Sequence, residues 1–147
     1  MIELNLPKYD FKITSIDGST QIFDVVRKKN VKLTPEEWVR QHLVHFLHQE
    51  KGFPLSWMAI EYALEYNRMK KRADILCFKN DGLPFLLVEC KSTQVKINQD
   101  VFDQIARYNF NLKVPYLMVS NGLEHYCCKM DYENNSYTFI ENAPSYY

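Results

Sequence analysis

The segment Pro84-Phe85-Leu86-Leu87-Val88-Glu89-Cys90-Lys91 constrains the fold more than any other stretch of this 147-residue chain. Its four consecutive apolar side chains occupy both faces of an extended backbone, so it reads as a central strand covered on either side. It ends in an acid and a base two residues apart, and charges at the end of a buried strand need partners. Residues 73–79 are also strand-like, and Asp81-Gly82 between the two runs is a two-residue hairpin signal. With that loop, 80 stands opposite 83 and Asp74 stands opposite Glu89, roughly 5 Å away on one sheet face. The 79–84 pair then falls at a non-hydrogen-bonded position, which suits Pro84 because it has no amide hydrogen. Lys91 projects from the same face, roughly 7 Å beyond Glu89. Two carboxylates so placed repel each other unless positive charge lies between them. The lysine alone would make a bland ion network. A hard divalent cation, which prefers a few carboxylates plus waters, neutralises the pair better.

The rest of the chain supplies the elements that would cover this strand. Residues 11–16 and 20–26 flank Asp17-Gly18, a second hairpin signal. Thr34-Pro35-Glu36-Glu37 is a cap, a proline at the first helical position and acids in the first turn. The helix it opens runs to about Glu50, with Val39, Leu43, Phe46 and Leu47 on the buried stripe and Gly52 and Pro54 ending it. A strand at 57–66 precedes the two already described. Asn98 caps a second helix over 99–111, with Val101, Ile105, Tyr108 and Leu112 on one face. An apolar strand at 115–120 and a hairpin of 124–130 with 137–141 around Asn134-Asn135 complete the order. This predicts one α/β domain over residues 1–147: a mixed central sheet flanked by helices, with a β-hairpin at each end. Trp38 and Trp57 read as core, and Pro144-Ser145-Tyr146-Tyr147 reads as a loose tail.

With 46% hydrophobic residues there is material for a core that buries roughly 70% of the unfolded surface. Eighteen basic residues balance eighteen acidic ones, so a nucleic-acid surface can come only from local clusters. Arg27-Lys28-Lys29 with Lys32 is one, and Arg68 with Lys70-Lys71-Arg72 is the other. Either alone reads as solvated loop charge, but the second adjoins Asp74 and becomes a candidate for phosphate contact. The four cysteines lack metal-type spacing and read as reduced and buried. His42, His45 and His48 drift about 60° per step around the helix, so they spread along a solvated flank rather than converge on a metal. No apolar leader and no long apolar run is present, so a soluble cytoplasmic protein with no membrane partner is expected.

Asp74 followed by Glu89-Cys90-Lys91 matches the PD-(D/E)xK nuclease signature, and the hairpin set between two helices resembles the restriction-endonuclease-like αβββαβ core of that family. Most of the chain resembles, more narrowly, the N-terminal nuclease domain of type I restriction-enzyme R subunits. The matching segments are Thr34-Pro35-Glu36-Glu37-Trp38-Val39-Arg40-Gln41, Lys71-Arg72-Ala73-Asp74, Val88-Glu89-Cys90-Lys91-Ser92, the Gln104/Tyr108 pair and Ser120-Asn121-Gly122. Ala73 stands where the signature has proline. The resemblance implies hydrolysis of nucleic acid, DNA first, with Mg²⁺ as cofactor and Mn²⁺ as its substitute. Asp74, Glu89 and the backbone carbonyl of Cys90 would hold the metal, and Lys91 would orient or activate the attacking water. Gln104 and Tyr108 would support the site or touch the DNA backbone, although Tyr108 also fits an ordinary core role. Glu37 resembles a helix acid that some members use as an extra metal ligand, against the stronger alternative of dipole stabilisation. Glu61 alternates with Ala59 and Ala63, which leaves room for a metal or for nothing but solvent. Arg68, Lys70, Lys71, Arg72, Lys96 and Arg107 are the expected nucleic-acid contacts. A homodimer or a larger restriction or repair complex would supply the surface that a short neutral chain lacks. The alternative is a non-catalytic DNA-binding or subunit-docking module on the same fold.

Overall fold

The computed structural model describes residues 1–66, 69–110 and 112–147, with side chains outside 64–71. The chain opens with a three-stranded antiparallel sheet of β1 (Ile13–Ile16), β2 (Ser19–Asp24) and β3 (Lys29–Lys32). Asp17 and Gly18 both have positive φ, 50° and 77°, the mirror-image turn that matches strand twist. β3 was not expected, because its Lys-Asn-Val-Lys sequence carries one apolar residue and no strand pattern. Pairing with β2 makes it a strand, Ile22 opposite Val31. Helix α1 (Pro35–Gln49) begins where the cap predicted, with the Thr34 hydroxyl accepting from the Glu37 amide at 3.0 Å. Val39, Leu43, Val44 and Leu47 are fully buried on its inner stripe, and Phe46 lies at the margin. Burying those four contributes a gross ~6–12 kcal/mol.

After a 3-10 turn at Leu55–Trp57 come β4 (Met58–Tyr66), β5 (Met69–Phe78), β6 (Pro84–Cys90), α2 (Gln99–Phe110), β7 (Tyr116–Ser120), β8 (His125–Asp131) and β9 (Ser136–Ile140). The strands lie side by side in chain order in one mixed sheet; β6 and β7 are parallel, joined across α2, and every other pair is antiparallel. From α1 to β7 the order is the expected αβββαβ core. One apolar cluster joins α1 to Ile75, Cys77, Leu86 and Val88, and a second joins Phe102 and Ala106 of α2 to Leu76, Leu87 and Leu117. The central sheet is therefore covered on both faces, as the all-apolar run of β6 requires.

Three local expectations are corrected. The β5–β6 loop has three residues: Lys79 N–H donates to Leu83 O and Gly82 N–H to Lys79 O, with Gly82 at φ 80°. Phe78 therefore faces Pro84, and an extra residue, Phe85, bulges before Cys77 meets Leu86. Loop and bulge each shift the pairing by one and the shifts cancel, so Ile75 faces Val88 as the two-residue loop had predicted; the ladder ends there, however, and the Asp74–Glu89 pair expected next to it is not formed. In α2 the buried positions are Phe102, Ala106 and Asn109, one residue on from the expected stripe. The C-terminal tail is docked: Ala143 is buried, Tyr146 N–H donates to Lys51 O at 2.9 Å, and the Tyr146 ring packs on Phe53. All four cysteines are free and buried. Among the described residues no helix is long and apolar enough to cross a membrane.

Candidate active site

The two sheet faces exchange roles at Asp74. Ile75 packs under α1 whereas Ala73 packs on the α2 side, so the alternation of β5 breaks between them. Opposite, in β4, Ile60 pairs with Ile75 and Tyr62 with Ala73, while Glu61 between them has φ 51° and makes no ladder pair. Backbone pairing of β5 with β6 stops at Ile75–Val88, and beyond it the Asp74 Oδ2 accepts the Cys90 amide at 2.7 Å. A carboxylate thus takes the place of a ladder carbonyl and is fixed to the strand that carries Glu89.

In β6, Val88 and Cys90 pack under α1, so Glu89 and Lys91 face α2. There they line a cavity of about 350 Å³ with Val101, Gln104, Ile105 and Tyr108. Lys91 N–H donates to Ser120 O at 2.8 Å, tying the end of β6 to the turn after β7. That turn is itself held. Asn121 Oδ1 accepts from the Leu123 and Glu124 amides, and its Nδ2 donates to Val95 O. His125 Nε2 lies 2.9 Å from the Asn5 carbonyl, so it carries the proton, and Nδ1 accepts from the Ser120 hydroxyl at 2.7 Å.

Behind Asp74 lies a dense ion network. Arg40, 5% exposed, places Nη2 3.6 Å from Asp74 and 3.4 Å from Glu36, Nη1 3.2 Å from Glu61 and Nε 3.6 Å from Glu37. Arg27 lies 2.6 Å from Asp24, 2.7 Å from Glu37 and 3.8 Å from Glu61, and Gln41 donates to both Asp24 and Glu37. Arg72 reaches Glu61 at 3.5 Å. Burial works against the Arg40 charge, but Glu37 leads the acids that more than offset it and raise its pKa. The Arg40 hydrogen bond in turn holds Glu61 below the ordinary carboxylate range. Burial pushes the Cys90 thiol well up, so it stays protonated and Cys90 offers the site its backbone alone.

Asp74, Glu89 and the Cys90 carbonyl would offer a cation oxygens only, the donor chemistry that a hard divalent ion takes. Among the described residues no three His, Cys, Asp or Glu side chains are grouped so as to hold a metal, so such an ion would keep several waters, as Mg²⁺ does. Among the described residues of the network, the carboxylates of Asp24, Glu36, Glu37, Glu61 and Asp74 face three guanidiniums, an excess of two negative charges.

The type I restriction enzyme R protein N terminus (HSDR_N) family matches residues 35–144 of this sequence. The chain belongs to that family. Within solved structures, this family member is similar to a fragment described as that of an HsdR subunit of a type I restriction enzyme from Vibrio vulnificus YJ016, with a TM-score of 0.52 and 21% identity over 78% of this chain. The match covers 24% of that fragment, so the chain spans about a quarter of its length, and the likeness speaks to the fold. No curated protein matches the chain.

Of the residues expected at this R-subunit N-terminal site, Glu89, Lys91, Gln104 and Tyr108 share the cavity, and Asp74 is bonded to the backbone of Cys90. Tyr108, like Val101 and Ile105, lies at the cavity wall because the core stripe of α2 is rotated one position away. Glu37 and Glu61 instead face guanidiniums. Arg72, Lys96 and Arg107 are exposed, Arg68 lies outside the described residues, and the side chains of Lys70 and Lys71 are among those not described. Two bland assignments are corrected. Arg27 is held inside the ion network rather than in a solvated loop. His42 is 6% exposed, bonded to Trp38 O and packed edge-on against Trp38 and tilted against Phe11, because residues 1–11 fold over that flank. Sequence reasoning missed Arg40, Arg27, Asp24 and Gln41. The signal for Arg40 was its place on the buried stripe, three, four and seven residues before Leu43, Val44 and Leu47.

Proposed function

We propose that this domain hydrolyses phosphodiester bonds of DNA with a divalent cation, Mg²⁺ or Mn²⁺, bound by Asp74, Glu89 and the backbone carbonyl of Cys90. The observation that carries this reading is the shared cavity: an acid and an amine from the end of a buried strand open onto the same space as an amide and a phenol from α2. When bound, the cation supplies Lewis-acid stabilisation of charge on the phosphoryl oxygens. Lys91 brings a positive charge and three donors to the cavity wall, where it orients the attacking water and stabilises the negative charge that builds in line with it. Gln104 and Tyr108 donate to the flanking phosphate oxygens and so fix the strand being cut. Arg40 and the Cys90 amide hold Asp74, which leaves lone pairs on both its oxygens.

Nicking of supercoiled plasmid with Mg²⁺ or Mn²⁺ tests this. Asp74→Asn and Lys91→Ala should each cut at least about 100-fold more slowly, the loss expected when charge stabilisation is removed. Cleavage unchanged by both substitutions rejects the site. No cleavage under any condition, with salt-sensitive DNA binding that disappears when Lys70, Lys71 and Arg72 are neutralised, supports the non-catalytic module instead.

A further inference from the structure

The acids around this site are not equivalent. Glu37 and Glu61 each face both Arg27 and Arg40, at distances from 2.7 to 3.8 Å. Asp74 touches Arg40 at 3.6 Å and turns its other oxygen to the Cys90 amide. The arginine side chains are 18% and 6% exposed, so neither can leave for solvent without opening the contact that buries it. Arg27 is further locked by Asp24, which is itself fully buried and bonded to the Val26 and Arg27 amides and to Gln41. A divalent ion on Glu37 and Glu61 would have to sit between one buried and one partly buried guanidinium, and like charges in a partly desolvated site repel strongly.

We infer that Arg27 and Arg40 are built-in counter-ions that withdraw Glu37 and Glu61 from cation binding, so that the site takes one divalent ion rather than two. Arg27 follows β2 and precedes residue 35, where the family match begins. The N-terminal sheet therefore acts on the site's metal count through this side chain. The consequence for metal count rests on the proposed cation site, whereas the counter-ion geometry stands apart from it.

Titration with Mn²⁺, followed by the electron-paramagnetic signal of the free ion and by melting temperature, separates the two. Wild type should bind one ion per chain. Glu61→Gln, at a half-exposed position, should leave that affinity within about twofold, whereas Asp74→Asn should weaken it at least about tenfold. Arg40→Gln releases Glu37 and Glu61 and should add a Mn²⁺ site, seen as an extra bound ion and a Mn²⁺-dependent rise in melting temperature. Arg27→Gln, whose guanidinium is the more exposed, makes the same comparison if Arg40→Gln does not fold. Two ions on wild type, a tenfold loss in Glu61→Gln, or folded arginine variants that gain no ion each overturn the inference. Wild type that binds no Mn²⁺, or binds it regardless of Asp74→Asn, defeats the proposed function alone. In that case a site created by the arginine variants still supports the counter-ion role, and its absence still refutes it.

Discussion

Replacing Asp24 with asparagine tests how much stability the ion network carries. The Asp24 carboxylate is fully buried and accepts from Val26 N at 2.8 Å, Arg27 N at 2.9 Å, Arg27 Nε at 2.6 Å and Gln41 Nε2 at 3.0 Å. In Asp24→Asn the amide oxygen can keep the two backbone donors, but the amide nitrogen then faces the Arg27 and Gln41 donors. Two bonds to a charged group are lost, at ~1.5–3 kcal/mol each. Arg27 retains Glu37, which limits the damage to about 3–5 kcal/mol, the usual cost of removing one partner of a buried pair. For a domain of this length that is a fall in melting temperature of roughly 10 °C. Burial alone would raise the Asp24 pKa, but the Arg27 backbone and side chain, Gln41 and Val26 outweigh it and hold it below 3.8. A carboxylate depressed in the folded state contributes fully above its unfolded value and loses that contribution as pH falls through the folded one. In urea unfolding the gap between wild type and variant should stay constant from about pH 7 to about pH 5 and close only below the ordinary 3.8. A variant that melts within about 2 °C of wild type, or a gap that already closes near pH 6, would refute the reasoning.

Three further outcomes follow from the same geometry. Gly122→Ala should cost about 1–3 kcal/mol in urea unfolding, because φ is 88° and the new Cβ would lie 2.8 Å from Leu4 Cδ2 and 3.1 Å from Val39 Cγ2. Burial lowers the His42 pKa against the Trp38 carbonyl bond, and burial followed by the neighbouring His42 and His48 lowers that of His45. Stability that both supply above 6.5 should therefore drain as pH falls through their lowered values, and the decline between about pH 7.5 and about pH 5.5 should flatten in His42→Gln. Tyr108→Phe should slow DNA cleavage about tenfold with little change in melting temperature, while a melting loss with full activity would assign Tyr108 to packing alone.

Much of this protein is legible without coordinates because it is set by short-range chemistry. The Thr34-Pro35 cap starts α1, Asn98 Oδ1 caps α2 through the Val101 amide at 2.9 Å, and the apolar run of β6 demands a covered central strand. The Ile75–Val88 register came out as expected although the loop is one residue longer, because the bulge at Phe85 restores it. Nothing in the local pattern forces such a cancellation. The rotation of the α2 stripe was likewise hidden, since Val101-Ile105-Tyr108 and Phe102-Ala106-Asn109 are both helical sets and only docking against the sheet decides which is buried.

By itself the sequence determined the order of elements apart from β3, and the strand ends that carry Asp74, Glu89 and Lys91, since capping, alternation and chain connectivity act over a few residues. Tertiary structure alone decided which charges meet. Arg27 and Asp24 lie ten or more residues from Glu37 and Gln41 along the chain, and Glu61 lies twenty-one residues from Arg40. Coulomb attraction is indifferent to sequence separation, so those partners exist only once the small sheet, α1 and β4 are packed together.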